Sequence, residues 1–274
     1  MGPHSAIIIW QASVKLKGEG VRFLEEKRSE RIQQRPLIKV GCCGFPVKRE
    51  IYYQAFQVVE VQQTFYQLPL LATGRRWREE APPDFEFTIK AWQLITHEPS
   101  SPTYRRLRMK IPDEKKKDYG SFKGTDEVEE AWSKTAEFAR ALGVKKILFQ
   151  SPASFSPSST HIKNMKQFFG KMKSFPFIYI WEPRGSWRRE EVERVCRELE
   201  IIPCLDPFGG SSIHGDLLYL RLHGKTGYRY TYSDAEINEL IRSGKACSET
   251  YIMFNNMNMY EDAKRLKALL KAVV

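Results

Sequence analysis

The chain has 274 residues, a length that fits either one large domain or two domains of ordinary size. Hydrophobic residues make up 42% and charged residues 28% of the chain, and this composition excludes a disordered or fibrous protein. The 44 lysine and arginine residues outnumber the 33 aspartate and glutamate residues and give a formal net charge of +11, which favours partners that carry phosphate groups.

Residues 1–37 differ in composition from the rest of the chain. The opening MGPHS is typical of an expression vector, AIIIW (6–10) is too short for a signal peptide, and the stretch that follows is polar. We therefore predict an N-terminal appendage over 1–37 and a single domain over 38–274. No run approaches the roughly 18 apolar residues of a membrane helix, so we expect a cytoplasmic protein that contacts no membrane.

From Leu37 onward, short β-branched or aromatic runs alternate with stretches that carry apolar residues at helical spacing. The clearest helix is predicted over 125–143, where Thr125 can cap the N-terminus and Gly143 suits the exit. Strands that alternate with helices pair in parallel, and eight repeats predict an α/β fold, a closed (β/α)₈ barrel of the TIM type. The eight strand-like runs are LIKVGCCG (37–44), FQVVEVQQTF (56–65), FEFTIKAW (85–92), KKILFQSP (145–152), FIYIWEP (177–183), IIPCLD (201–206), LLYLRLHG (217–224) and TYIMFNN (250–256).

An open, doubly wound sheet is the alternative fold. It normally has a glycine-rich phosphate turn after the first strand, and GCCGFP (41–46) does not match the GxGxxG pattern. The barrel is therefore the favoured prediction.

Polar side chains follow nearly every predicted strand, at the end where a barrel of this type builds its active site. Period-two alternation puts Glu182 with Arg184, and Arg221 with His223, on the same side of their strands. Because a buried charge must be paired or used, these positions are candidate site residues. In chain order the candidates are Glu60, Lys90, His97, Gln150, Glu182, Arg184, Asp206, Arg221, His223, Tyr228, Asn255 and Asn256.

A series of ordered motifs resembles a known family. The motifs are KVGCCGFP, VEVQQTFYQLP, FTIKAWQLITH, ILFQSPASF, IWEPRGSW, YLRLHG and FNN, and they extend from about residue 38 to the C-terminus. In this order they resemble the uncharacterised proteins called domain of unknown function 72, the YecE-like barrels. The resemblance implies a TIM-type barrel with a polar pocket at its carboxyl face, and it implies no particular activity.

The chain departs from the pattern of that family at two places. Phe45 follows Gly44 where the family usually has a tryptophan, and Met257 follows Asn256 where an acidic residue is usual. The second departure argues against a further carboxylate beside strand eight.

The candidate residues suit an anionic substrate. Fixed cationic donors bind phosphate or carboxylate oxygens well, and the loop HGKTGYRYTY (223–232) follows strand seven, where such barrels often bind phosphate. We predict Glu182, Asp206, His223 and Glu60 as catalytic residues, with a carboxylate as general base and His223 as general acid. The favoured function is hydrolysis of a phosphate-containing substrate, such as a phosphodiester or nucleic acid. The predicted substrate-binding residues are Lys90, His97, Gln150, Arg184, Arg221, Tyr228, Asn255 and Asn256.

Other interpretations of the same residues stay open. The carboxylates and His223 could hold a divalent cation, magnesium or manganese, although no ligand motif with diagnostic spacing is present. Two carboxylates that flank a bond would suggest glycoside hydrolysis, which the neighbouring cations disfavour. Arg184 and Arg221 could instead neutralise acids in a buried network, and His97 could cap a loop.

A non-catalytic nucleic-acid or polyanion binder is the second class of function. The segment 98–124 is long and proline-punctuated, and its eight lysine and arginine residues exceed its four acidic residues. It could be a lid that faces the substrate or a solvated surface loop. Tyr228 and its neighbours could stack on the bases of a single strand. An enzyme needs Glu182, Asp206 and His223 around one point, whereas a pure binder would hold them in mutual salt bridges.

Overall fold

The computed structural model of the protein describes residues 36–208 and 216–272. Most of the predicted appendage over 1–37 therefore lies outside the described residues. Within them, eight parallel strands follow one another around a closed barrel, in which β8 pairs with both β7 and β1. The predicted TIM-type (β/α)₈ barrel is confirmed. Its strands are β1 (Leu37–Cys43), β2 (Val58–Val61), β3 (Glu86–Lys90), β4 (Lys146–Gln150), β5 (Ile178–Glu182), β6 (Ile202–Leu205), β7 (Leu217–Leu222) and β8 (Glu249–Phe254).

Helices connect the strands on the outside of the barrel. They are α1 (Arg49–Ala55), α2 (Gln63–Tyr66), α3 (Leu71–Glu80), α4 (Gln93–Thr96), α5 (Asp126–Leu142), α6 (Ser159–Met172), α7 (Arg189–Leu199), α8 (Asp234–Gly244) and α9 (Met259–Ala272). Two 3₁₀ helices, Pro102–Arg106 and Asp113–Asp118, lie between α4 and α5. In the part of the chain that the structure describes, no helix has the length and apolar character needed to cross a membrane.

The clearest helix of the sequence, over 125–143, corresponds to α5. Gly143 ends it in the left-handed region with a φ of 73°, as predicted from its position. Thr125 precedes the first turn, but its hydroxyl donates to the Asp118 carbonyl at 2.6 Å and does not cap the helix. The acidic residues of the first turn, which include Asp126 and Glu127, stabilise the positive end of the helix dipole.

The barrel interior is filled by side chains from alternate strand positions, and its middle is mainly apolar. Burial raises the pKa of the Cys43 and Cys204 thiols well above the usual value, so both stay protonated. The apolar middle separates two polar clusters, one at each end of the barrel. The interior side chains of the middle are Cys43, Val58, Leu148, Ile180, Cys204, Tyr219, Tyr251 and Met253.

The cluster at the amino ends of the strands, which we call the basal network, consists of Lys39, Glu86, Lys146, Glu249 and Tyr251. The Tyr251 hydroxyl lies 2.6 Å from Glu86 Oε2 and 2.8 Å from Glu249 Oε1, and it accepts a hydrogen bond from Lys146 Nζ at 2.6 Å. Lys39 forms ion pairs with both glutamates. Burial opposes ionisation of the glutamates, but hydrogen bonds from Lys39 and Tyr251 hold the pKa of Glu86 and Glu249 below the usual value. The network therefore balances two cations with two anions.

The segment 98–124, which we call the basic segment, is ordered against the carboxyl face. The backbone amides of Gly120, Ser121 and Phe122 donate to carbonyls of α4, and all three residues have positive φ. A Cβ at Gly120 would lie 2.4 Å from the His97 carbonyl oxygen, so only glycine fits there. The Tyr104 hydroxyl donates to the same carbonyl at 2.7 Å. The segment thus forms a fixed wall beside the mouth of the barrel.

We expect Tyr251→Phe to lower the free energy of unfolding by about 1–3 kcal/mol, because it removes the nearest hydrogen-bond acceptor of the buried Lys146 amine. Urea denaturation at neutral pH measures the difference. Tyr260→Phe is the matched control, since the Tyr260 hydroxyl makes no hydrogen bond to the described residues. Equal stability of the two variants would contradict a stabilising role for the basal network.

Candidate active site at the barrel mouth

Glu182, the last residue of β5, is the centre of the polar cluster at the carboxyl ends of the strands. Its carboxylate is buried, and Oε2 accepts hydrogen bonds from the Arg221 guanidinium and from Gln150 Nε2 at 2.8 Å. Oε1 accepts from Arg184 Nη2 at 2.8 Å and lies 2.9 Å from His223 Nε2. The parallel register of β4 and β5 sets Gln150 directly beside Glu182. Four side chains therefore converge on one carboxylate.

Arg221 on β7 joins this carboxylate to a second one. Its side chain is 2% exposed, and Nη2 lies 3.0 Å from Glu60 Oε1 on β2. The Tyr219 hydroxyl donates to Glu60 Oε2 at 2.8 Å, and the Gln62 amide also donates to Glu60. A single guanidinium thus bridges two buried carboxylates across the barrel, which compensates charges that would be costly alone.

The surroundings of Glu182 keep it ionised. Burial raises the pKa of this carboxyl, but the charges of Arg221 and Arg184 and the hydrogen bond from His223 outweigh it and hold the pKa well below the usual range. A carboxylate held in this way is a poor proton acceptor. Glu182 is therefore better suited to orient His223 and the two arginines than to act as the general base that its position in the sequence suggested.

His223, just after β7, is held at both ring nitrogens. Nδ1 lies 2.9 Å from Asn255 Nδ2, and Nε2 lies 2.9 Å from Glu182 Oε1, so the ring is oriented from both sides. Arg184 Nη2 lies 2.8 Å from the same Nε2. The Tyr228 ring is 6.5 Å from the histidine ring and is 58% exposed, so it borders the site on the solvent side.

Lys90, the last residue of β3, brings an amine into the same cluster. It is buried, its Nζ donates to Gln150 Oε1 at 2.6 Å, and it lies 3.7 Å from the centroid of the Phe65 ring. Burial and the nearby Arg221 charge lower the pKa of Lys90 to about 7, although Glu182 and Glu60 act in the opposite direction. Lys90 can therefore exchange a proton near neutral pH.

His97 lies close to this amine but makes no hydrogen bond to it. Its Nδ1 is 2.8 Å from Thr96 Oγ1, and its ring meets the Phe65 ring edge to face at 4.9 Å. Burial and the charge of Lys90 lower the pKa of His97 to about 3, so the ring is neutral at physiological pH. His97 thus contributes to the wall of the site, consistent with the local hydrogen-bonding role that the sequence left open.

Eight of the predicted residues form one connected group, which we call the mouth cluster. Asp206 is outside it: the side chain is exposed and accepts a hydrogen bond from the Phe208 backbone at 3.0 Å. Asn256 is also outside it, because its amide donates to the Tyr230 carbonyl and to Asp262, each at 2.7 Å. The mouth cluster consists of Glu60, Lys90, Gln150, Glu182, Arg184, Arg221, His223 and Asn255.

The donors of the mouth cluster fit an anion better than a divalent cation. Glu60 and Glu182 both already bind the Arg221 guanidinium, and a magnesium or manganese ion there would meet its charge and that of Arg184 at close range. Over residues 36–208 and 216–272, no group of three or more His, Cys, Asp or Glu side chains is placed to hold a metal ion.

The comparisons with known proteins agree with this fold. The family model described as "Protein of unknown function DUF72" matches residues 47–274. The chain belongs to the DUF72 family. The resemblance drawn from the ordered motifs is thereby confirmed.

Relatives of this DUF72 protein include the UPF0759 protein YunF of Bacillus subtilis (strain 168), which is 20% identical over 258 residues, 82% of this chain and 86% of YunF. A solved DUF72 family protein of Enterococcus faecalis V583 has a TM-score of 0.66 at 17% identity, over 87% of this chain and 99% of that one. Another, from Thermotoga maritima MSB8, has a TM-score of 0.61 at 22% identity, over 86% and 99% of the two chains. At these identities the likeness shows the shared barrel fold.

In this DUF72 barrel, we expect Arg221→Met to lower the free energy of unfolding at pH 7 by about 3–5 kcal/mol, because it leaves buried carboxylates without their cation. Loss of the guanidinium also raises the pKa of Glu182, so the deficit should shrink as the pH falls and this carboxyl takes up a proton. Urea denaturation at several pH values measures both effects. A small, pH-independent deficit would contradict the bridging role.

The lowered pKa of Lys90 predicts a dependence of stability on pH. The folded protein releases this proton near pH 7, whereas the unfolded chain keeps it until about pH 10.4. Since the folded state binds fewer protons in this range, the stability of the wild type relative to Lys90→Met should increase as the pH rises from 7 toward 10. Denaturation curves of both proteins test this expectation. A difference that does not vary over that range would mean that Lys90 keeps an ordinary pKa.

Proposed function

We propose that this DUF72 protein is an enzyme that hydrolyses a phosphate-containing substrate, of the phosphodiester or nucleic-acid type, at the mouth cluster. The observation that carries the proposal is a buried amine with a pKa of about 7 in the same hydrogen-bonded cluster as a histidine–carboxylate pair. Groups that hold protons near neutral pH are those that general acid–base catalysis needs. The fold alone does not assign the reaction.

The charge of the cluster favours an anionic substrate. The two carboxylates, Glu60 and Glu182, are matched by the two guanidinium groups of Arg221 and Arg184. A proton on either Lys90 or His223 then gives the mouth cluster a net positive charge. A bound phosphate group would supply the missing negative charge.

The positions of the side chains suggest a role for each. Arg184 is the most accessible cation of the cluster, with a side chain that is 42% exposed, and we assign it to the phosphoryl oxygens. Neutral Lys90 accepts a proton from the attacking water, whose oxygen bonds to phosphorus. Arg184, which lies 2.8 Å from His223 Nε2, moves to the phosphoryl oxygens when substrate binds and frees this nitrogen. As the bond from phosphorus to the leaving oxygen breaks, protonated His223 donates its Nε2 proton to that oxygen. Glu182 stabilises the charged histidine, and solvent then restores both proton states.

One observation favours the alternative, a non-catalytic binder of nucleic acid or another polyanion. Both buried carboxylates are engaged in ion pairs, which is the arrangement expected if the mouth is only structural. In this case the basic segment would bind the polyanion. Its lysines at 115, 116 and 123 are each paired with an acid, so its uncompensated charge is concentrated between residues 105 and 110.

We expect the purified protein to hydrolyse at least one of four labelled or chromogenic substrates: single-stranded DNA, duplex DNA, RNA and bis(p-nitrophenyl) phosphate. Lys90→Met should reduce the rate by at least about 100-fold. The wild-type rate should follow a bell-shaped pH profile, because Lys90 acts in its neutral form and His223 in its protonated form, and the rising limb near pH 7 should report loss of the Lys90 proton. Asp206→Asn is the matched control and should retain activity, because Asp206 lies outside the mouth cluster. Parallel reactions with chelator and with added magnesium or manganese test metal dependence directly.

Two results would count against this proposal. Hydrolysis that survives Lys90→Met would remove the amine from the mechanism. Binding of the nucleic acids without any cleavage, with an affinity that falls steeply as salt increases, would support the polyanion binder instead.

A further inference from the structure

A cleft of about 620 Å³ lies beside the barrel mouth, between the chain after β2 and the basic segment. This volume is within the range of about 300–1,000 Å³ that is usual for small-molecule sites. The predicted site residues do not line it, and only the meeting of two distant chain segments creates it. The lining residues are Gln63, Tyr66, Gln67, Leu68, Pro69, Leu70, Thr73, Arg106 and Arg108.

The two arginines of the cleft are uncompensated. Both side chains are exposed, and neither guanidinium has an ion-pair or hydrogen-bond partner among residues 36–208 and 216–272. No acidic side chain lines the cleft. Two cations that face one cavity without an anion are expected to attract one from solution.

The Arg106 guanidinium lies against an aromatic ring of the cleft wall. Its guanidinium carbon lies over the Tyr66 ring, 3.6 Å from the ring centroid, in a close cation–π contact. A guanidinium in contact with an aromatic face keeps N–H donors at its edge, where a phosphate can accept two of them. The aromatic ring thus restricts the Arg106 side chain before an anion binds, which lowers the entropy cost of binding.

The walls of the cleft are fixed by hydrogen bonds. The Arg108 backbone amide donates to Gln67 Oε1 at 3.2 Å, which ties the basic segment to the chain after α2. The Gln93 amide donates to the Tyr66 carbonyl at 2.9 Å. The cavity is therefore largely formed before any ligand arrives.

One turn of helix, α2, separates the cleft from the mouth cluster. Gln63 and Tyr66 line the cleft, whereas Phe65 of the same turn contacts Lys90. Since an α-helix with its side chains is only about 10–12 Å across, one extended ligand can reach both places.

We propose that this cleft is a second phosphate-binding subsite, in which Arg106 and Arg108 hold a phosphate group of the substrate other than the one that reacts. The binding of phosphate in the cleft is independent of the activity of the mouth. The assignment of both phosphates to one substrate rests on the proposed function.

The test uses the full chain and inorganic phosphate, with the Nε–Hε resonances of the arginines followed by NMR. The resonances of Arg106 and Arg108 should shift and saturate with one Kd, and sodium chloride of the same ionic strength should not reproduce the shift. Arg106→Ala should weaken the binding reported by Arg108 by at least about tenfold. Arg105→Ala is the matched control, because Arg105 lies on the same 3₁₀ helix but does not line the cleft, and it should leave the Kd unchanged.

A linear response to phosphate, an equal response to chloride, or an equal effect of Arg105→Ala would overturn the subsite. The response of Arg184 in the same spectra reports on the mouth separately. Saturation at Arg108 without any response of Arg184 would keep the subsite and count against the proposed function. With the oligonucleotide dT4, one common Kd for Arg108 and Arg184, tighter than that for inorganic phosphate, is expected if one substrate occupies both. Separate Kd values would overturn the shared-substrate assignment.

Discussion

The ion pairs of Arg221 are the contacts on which the carboxyl face depends. This guanidinium lies in the barrel between Glu60 and Glu182 and makes two buried carboxylates tolerable in a place with little water. Glu182 in turn orients Arg184 and His223, so the position of the whole mouth cluster follows from one residue of β7. The cation is too deeply buried to serve as the first contact of a substrate. Its role is to set the geometry that the accessible groups present.

The two ends of the barrel use buried charge differently. The basal network sets two lysines against two glutamates around one tyrosine hydroxyl, and its charges are matched. At the mouth, Lys90 and His223 exceed the number of available carboxylates, and the pKa of Lys90 is lowered to about 7. Matched charges favour stability, whereas burial of an amine without its own anion lowers stability. The excess positive charge thus lies at the carboxyl face, the end at which enzymes with this fold build their active sites.

Much of this arrangement could be predicted from the sequence, because two periodicities determine it. Alternation of strands with helices predicted the barrel. Because successive side chains of a strand point to opposite faces, the sequence also placed Glu182, Arg221 and His223 together. The same alternation puts Tyr219, two positions before Arg221, on the same side of β7, but its hydrogen bond to Glu60 is visible only in the structure. Asp206 and Asn256 turn away because of local hydrogen bonds to Phe208 and Asp262, which strand position cannot reveal. No sequence pattern connects Tyr66 with Arg106, since only folding of the basic segment brings them together.

The way in which the basic segment is attached has an architectural consequence. The chain leaves the barrel at His97 and returns to the same carbonyl at Gly120, so the intervening residues form an excursion whose two ends touch. An excursion closed in this manner can change in length or composition without altering the spacing of the elements on either side. The barrel therefore carries an exchangeable part beside its mouth cluster. Replacement of that part would reshape the cleft that Arg106 and Arg108 line, while the ion pairs of Arg221 would stay in place.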